Sequence, residues 1–226
     1  MRSILVGLSL IAAAPALAQQ EDSQLWLQTN VQVPLDDEFR LTLEGIARFS
    51  DRLDGLYHTE IGGIVSTKVA DNVELGFGYR HVSSHGRNTA DDENRLRQHI
   101  VVTFGRLTTR LRVDERFHPD GDEIGFRIRP LVRYSQPLGK KGLALFATHE
   151  SFFMANDTAW GQRAGYDRMR NTIGVTVPLG QGISSDIGYL NQYRFARNGG
   201  RATMDHALSV QLTFAIKKQK PKVEEE

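Results

Sequence analysis

Apolar and polar positions alternate with a period of two along almost the whole chain after residue 23. Near the C-terminal end, Met204, His206, Leu208, Val210, Leu212, Phe214 and Ile216 form one row, and Asp205, Ala207, Ser209, Gln211, Thr213 and Ala215 fall between them. The same parity separates Ile124, Phe126, Ile128, Val132 and Tyr134 from Glu123, Arg127, Arg129, Arg133 and Ser135, and Met169, Ile173, Val175 and Val177 from Arg168, Arg170, Thr172 and Thr176. Successive residues of a strand face opposite sides of a sheet, whereas a helix would need its apolar residues three and four apart. The pattern predicts strands over 24–33, 38–50, 57–68, 73–83, 93–105, 107–118, 123–136, 142–154, 166–178, 182–195 and 203–216, and almost no helix beyond the leader.

Strand length changes what the alternation means. Strands of soluble sheets usually run about 5 or 6 residues, and a tilted strand needs about 9 to 11 to cross a bilayer. The segments here match the second value better. The joins at 34–38, 70–72, 105–107, 137–142 and 179–182 are short, and several carry Pro, Gly, Asp or Asn at turn positions. The joins between them, at 51–56, 84–92, 119–122, 155–165 and 197–203, are generally longer and polar. The expectation is an all-β, antiparallel up-and-down transmembrane β-barrel of about 10–12 strands, with short periplasmic turns and longer extracellular loops. The apolar row then meets lipid and the charged row lines the interior. A soluble sandwich would reverse that assignment, and parity alone does not refuse it. Bacterial barrels generally have even strand numbers, so an eleventh segment at 24–33 closes the barrel in parallel, lies in the lumen, or is a loop.

The N-terminus fits this destination. Met1-Arg2-Ser3 precedes an uncharged run ending in Ala16-Leu17-Ala18, the layout of a cleaved secretory signal peptide over residues 1–18. The barrel domain follows over 19–216, with a charged periplasmic tail over 217–226. Of the 226 residues, 24% are charged with a formal net charge of +1, which removes any bulk electrostatic case for nucleic acid. With no cysteine present, disulfides, thiolate metal sites and thiol nucleophiles are excluded.

Several short motifs recur in a telling order: Leu25-Trp26-Leu27, Gly76-Phe77-Gly78-Tyr79-Arg80, Glu93-Asn94-Arg95-Leu96-Arg97-Gln98, Arg112-Val113-Asp114-Glu115-Arg116-Phe117, Glu150-Ser151-Phe152-Phe153, Arg168-Met169-Arg170-Asn171 and Gly188-Tyr189-Leu190-Asn191-Gln192. In this order the chain resembles a domain-of-unknown-function family of Gram-negative outer-membrane β-barrel proteins over about 24–216. The resemblance implies location and shape, in the cell outer membrane, and no activity. The expected partners are outer-membrane lipid and lipopolysaccharide, with the barrel-assembly machinery during insertion.

Parity assigns an unusual density of charge to the interior. Arg80, Arg97, Arg110, Arg112, Asp114, Arg116, Arg127, Arg129, Arg133, Glu150, Arg168, Arg170 and Arg194 point inward, together with Arg40, Glu44, Arg48, Glu60, Lys68, Glu74, Arg95 and Asp186. Two readings follow. An arginine–carboxylate network largely fills the lumen of a structural barrel, or a narrow passage favours anions in a transport-like one. Glu115 is the exception in its strand, a carboxylate in the lipid-facing row, and calls for an interfacial position or a bulge.

An enzyme is the alternative from another class. Small outer-membrane lipid deacylases use a Ser and a His near the outer leaflet with a carboxylate orienting the base. His81 and Ser83 share the lipid-facing parity beside a polar join, and His149 and Ser151 repeat the residue types. A serine nucleophile also needs a base within about 3 Å and an oxyanion donor. No metal or cofactor site is expected: the histidines are scattered, and Asp91-Asp92-Glu93 reads as a solvated loop. Tyr57, Tyr79, Tyr134, Tyr166, Tyr193 and Trp160 are expected near strand ends or on outer faces, as interfacial girdles.

Overall fold

The computed structural model describes residues 20–139, 142–197 and 199–217. The expected signal peptide and all but the first residue of the expected tail lie outside the described residues. Eleven strands follow one another: β1 (Gln20–Pro34), β2 (Phe39–Ser50), β3 (Gly55–Ala70), β4 (Val73–Ser84), β5 (Glu93–Phe104), β6 (Leu107–Phe117), β7 (Gly125–Pro137), β8 (Ala144–Met154), β9 (Gly165–Gly180), β10 (Ile183–Arg194) and β11 (Thr203–Ala215). Each pairs with its neighbours in sequence, and the sheet closes on itself through β1 and β11.

The eleventh strand is accommodated by a parallel seam. Strands that alternate in direction leave the first and last of an odd set pointing the same way. β1 and β11 therefore pair in parallel from Gln20↔Thr203 to Gln32↔Ala215, while β1–β2 and every other neighbouring pair is antiparallel. Of the three paths open for this segment, parallel closure is the one taken. The closed ladder leaves no sheet edge. The C-terminal ends of β1, β3, β5, β7 and β9 and the N-terminal ends of the strands that follow them lie at one end of the barrel, and the C-terminal ends of β2, β4, β6, β8 and β10 at the other.

The distribution of side chains is inside out relative to a soluble protein. Ile61 is 69% exposed and Ile173 64%, and Leu43, Phe77, Leu111 and Leu208 share the outer surface with them. Asp114 is wholly buried and Glu60, Arg97 and Glu150 nearly so. β6 shows the alternation over one strand, with Leu111 exposed and Arg112 and Asp114 buried. Glu115 lies in the outer row near the long-loop end, and the register on both sides of it is unbroken, so no bulge is involved. Gln98 of β5 donates to its carboxylate at 3.0 Å.

Among the described residues the register shifts at four places, two near the short turns at Lys68/Ala70 and Ile183/Ser184 and two near the long loops. Between β2 and β3, Arg48 pairs with His58 and Phe49 with Leu56, so the extra residue Tyr57 turns inward next to His58. Tyr57, expected near a strand end or on an outer face, stands near the start of β3 but points inward and is buried, with its hydroxyl donating to Gln24 at 2.9 Å. Between β8 and β9, Phe152 pairs with Arg168 and Phe153 with Tyr166, so Asp167 is the extra residue and Tyr166 is turned outward.

Close approach of strands requires glycine on the inner face. A Cβ on Gly78 would stand 2.2 Å from the Gly63 carbonyl oxygen, and one on Gly174 2.3 Å from that of Ile187. Gly45 in β2 lies instead on the outer face, with open space where a Cβ would stand. Gly78→Val is expected to cost roughly 3 kcal/mol or more by overpacking against backbone, and Gly45→Ala to be tolerated. A gel comparing heated and unheated protein checks this: the compact, heat-sensitive band should be lost from the first variant and kept in the second.

Candidate functional site: the charged lumen

The interior is organised around carboxylates that each serve several guanidinium groups. Asp114 on β6 accepts from Arg127 at 2.6 and 2.9 Å and from Arg129 at 3.3 Å, both on β7. Glu150 on β8 accepts from Arg110 at 2.6 Å, from Arg129 at 2.9 and 3.0 Å, and from Arg170 at 3.4 Å. On the opposite wall Glu60 is joined to Arg48 at 2.8 Å, to His58 at 2.8 Å and to Arg80, and Glu44 to Arg80 at 2.7 Å and to Arg97. Nearer the long loops, Glu93 receives Arg116 at 2.6 and 2.8 Å and also Arg95. At the other end Arg133 meets Asp186 at 2.8 Å, and Arg40 meets Glu74 at 2.6 Å. Charge-assisted bonds of this kind suit the planar, forked guanidinium better than an ammonium.

Buried aromatic rings supply a second set of partners. The Trp26 ring lies 4.2 Å from the Arg48 guanidinium and 4.5 Å from that of Arg170. Phe152 faces Arg129 at 4.4 Å and Arg170 at 4.9 Å, and Phe146 faces Arg133 at 4.0 Å. Ring faces attract cations and hold apart arginines that would otherwise repel. At the long-loop mouth, Trp160 stacks on His118 at 4.8 Å with Arg116 5.0 Å from its ring.

Of the residues that sequence parity turns inward, Arg80, Arg97, Arg112, Asp114, Arg127, Arg129 and Glu150 are buried. Arg168 is held by Asp167, and Arg194 lies 4.0 Å from buried Asp205. Lys68 is exposed at the end of β3. Glu93 is a correction: it belongs to the buried network and not to the solvated loop with Asp91 and Asp92. Trp26, Phe146 and Phe152 were missed although strand parity contained the signal, since Gln24, Trp26, Gln28 and Asn30 share one face of β1 and Phe146, Glu150 and Phe152 one face of β8.

Arg112 differs from the other lumen cations. It is buried, yet among the described residues its side chain makes no hydrogen bond or ion pair, and its Nε is unpartnered. Its charged neighbours are the guanidinium groups of Arg97, Arg110 and Arg129 and the carboxylates of Asp114, Glu44 and Glu150, none of which is hydrogen-bonded to it. It lines a cavity of about 930 Å³ that extends from Arg87 and Asp91 at the long-loop end past Arg129 and Glu150 to Thr108 and Asp186.

The paired Ser and His candidates separate clearly. His81 Nδ1 meets Asn94 Oδ1 at 2.9 Å and its Nε2 lies 3.6 Å from Asp92. Ser83 also reaches Asp92. The carboxylate thus sits between hydroxyl and imidazole, the wrong order for a base to take the serine proton. The amide of Ser84 and the hydroxyl of Ser83 hold the Asp92 carboxyl below its usual range. His149 and Ser151, by contrast, are hydrogen-bonded to each other at 2.9 Å on the outer face of β8. Asp91, His118 and Asp120 bring possible ligand atoms within 4.8 Å of one another, but both carboxylates are exposed at the rim and His118 is stacked on Trp160.

The fold is thus a closed eleven-stranded β-barrel with an arginine-rich interior. The chain matches over residues 23–203 the family described as "Protein of unknown function (DUF2490)", and it belongs to that family. It is 33% identical over 221 residues to an uncharacterised protein of Methylorubrum extorquens, which spans 93% of this chain and 96% of that one. A solved structure from a study of the in-meso crystallisation of membrane proteins superposes with a TM-score of 0.41 at 12% identity, over 78% of this chain and 84% of its own; a likeness of that degree carries no argument.

Removing one shared carboxylate strands several buried cations at once. Glu150→Ala leaves Arg110, Arg129 and Arg170 without their common acceptor and is expected to destabilise the barrel by about 3–5 kcal/mol. The urea midpoint of the folded-to-unfolded transition in detergent reads this loss; an unchanged midpoint would show that the network does not hold the barrel together.

Proposed function

We propose that the protein is an outer-membrane β-barrel of transport-like role, whose arginine-lined lumen binds small anions and lets them pass. The membrane part of this reading rests on the inverted surface. A belt of Leu43, Ile61, Phe77, Leu111, Ile173 and Leu208 faces outward while the charges face in. In hydrocarbon every backbone N–H and C=O must be paired within the protein, and a closed ladder does this. The short turns then face the periplasm and the long loops the exterior, as the asymmetry of such barrels requires. The expected signal peptide supports export to that membrane.

The single observation that carries the anion reading is Arg112, a buried guanidinium with no hydrogen-bond or ion-pair partner among the described residues, on the wall of a cavity that runs most of the barrel's length. A wholly self-satisfied plug would leave neither the free cation nor the space. An entering anion replaces the missing acceptor and relieves the repulsion among Arg97, Arg110 and Arg112. The paired arginines on either side define a narrow, positive path, and rings of arginine favour anions over cations.

The protein is expected to fractionate with the outer membrane and, in planar bilayers, to conduct chloride or phosphate in preference to potassium. Arg112→Ala should lower that anion preference while leaving the heat-modifiable fold intact. Recordings that show no conductance would favour a purely structural barrel with a filled lumen, and recovery of the protein in the soluble periplasm would remove the membrane assignment itself.

A further inference from the structure

The outer face of the barrel carries a second arrangement, unrelated to the lumen. His149 and Ser151 lie two residues apart on β8 and so project from the same face, and Asn171 of β9 is the cross-strand partner of His149. Ser151 Oγ is 2.9 Å from His149 Nε2, and His149 Nδ1 is 2.7 Å from Asn171 Oδ1. With the amide oxygen accepting, Nδ1 carries the proton and Nε2 is free to accept from the serine hydroxyl. That is the order nucleophile, base, orienting acceptor, which defines a catalytic triad by geometry regardless of fold.

A fourth group completes the set. The bulge at Asp167 turns Tyr166 to the outer face, where its hydroxyl stands 3.1 Å from Ser151 Oγ. Its ring is held by stacking on Phe153 at 4.7 Å and against Phe195 at 4.8 Å. Opposite Ser151 the ladder to β7 is interrupted: pairing is present at Ile128↔Phe153 and Leu131↔Glu150 but not at the intervening Arg129 and Pro130, the second of which has no N–H to give. Other outward polar residues at this end pair off simply, as Tyr189 with His206 at 2.6 Å and Gln98 with Glu115 at 3.0 Å. Among the described residues, only β8 and β9 bring serine, imidazole and amide into a hydrogen-bonded relay.

From this geometry we infer that the β8–β9 outer face is an esterase site that cleaves the carboxylic ester of a long-chain acyl lipid reaching it laterally in the membrane. The lipid part rests on the outer-membrane reading above; the triad itself does not. Phe153, Ile128 and Ile173 offer exposed apolar surface around the serine for an acyl chain. Ser151 Oγ attacks the ester carbonyl carbon as His149 Nε2 takes its proton, and the Tyr166 hydroxyl donates to the developing oxyanion. The tetrahedral intermediate expels the alcohol, which leaves with the proton returned by His149, and an acyl-serine remains. Water, deprotonated by His149, then releases the fatty acid and restores Ser151. The sum is ester plus water giving acid plus alcohol. Tyr166, Ser151 and His149 are the catalytic residues, and Asn171 is the positioning residue.

The test uses the full-length protein folded in detergent, its fold verified by heat-modifiable migration. A fluorophosphonate probe should label Ser151, and fatty acid should be released from phosphatidylethanolamine or lipopolysaccharide in mixed micelles, the two arms separating a glycerol-linked from a sugar-linked ester. Ser151→Ala and His149→Ala should each lower release by about 10³-fold or more. Asn171→Ala should lower kcat by about 10-fold or more with little change in KM, and Asn171→Asp should restore most of it, as an orienting acceptor requires and a packing role does not. Ser83→Ala should retain full release. A folded wild type that is neither labelled at Ser151 nor more active than Ser151→Ala overturns the proposal. Labelling of Ser151 in a protein found soluble in the periplasm would keep the triad and remove the membrane reading.

Discussion

The parallel pairing of β1 with β11 is the contact on which the rest of the structure depends. Ten antiparallel hairpin pairings can form from sequence neighbours alone, but a sheet so built has two open edges. The seam removes both, and because the strands number eleven it can do so only in parallel. Its cost is the slightly weaker ladder of parallel strands and the long loop closure between the ends of the chain. Its return is a ring in which every strand has a partner on both sides, the condition that lets the apolar row face outward.

Closure also concentrates charge. Once the barrel is shut, the inner row of every strand converges on one narrow space, and the sequence fills it with arginines that share a smaller set of carboxylates. Taking so many ions out of bulk water is costly, and two devices offset it: shared acceptors such as Glu150 and Asp114, and aromatic faces such as Trp26 and Phe152. Arg112 is where those devices stop, and for that reason the lumen reads as a place where an anion binds. The outer surface follows a different logic. There polar groups are few, gathered toward the long-loop end, and at β8–β9 they are ordered for acyl transfer.

The eleven strands and the facing of most charges were legible from alternation, because strands this long repeat the pattern often enough to fix parity; Arg112, Asp114 and Leu111 fall where β6 parity puts them. The exceptions have local causes. Tyr57 could not be placed because a bulge adds one residue and turns two consecutive side chains inward, and a bulge leaves no mark in an alternating sequence. Glu93 follows Asp91 and Asp92 and so reads as part of their acidic loop, although it opens a strand. His149 and Ser151 were visible as residue types, but Asn171 and Tyr166 become their partners only through the β8–β9 register and the bulge at Asp167. The route of the first strand depended on a long-range pairing that no local pattern encodes.

The central claim is that the apolar row faces lipid and the charged row faces an enclosed lumen. Because the chain has no cysteine, single Cys substitutions carry a nitroxide label to chosen sites without background. Labels at Ile61→Cys, Leu111→Cys and Ile173→Cys in the folded protein, reconstituted in vesicles, should be relaxed strongly by molecular oxygen and weakly by a water-soluble nickel chelate, while one at Asp54→Cys in a long-end loop shows the reverse. Relaxation of the first three by the chelate to the same degree as the loop site would contradict the account.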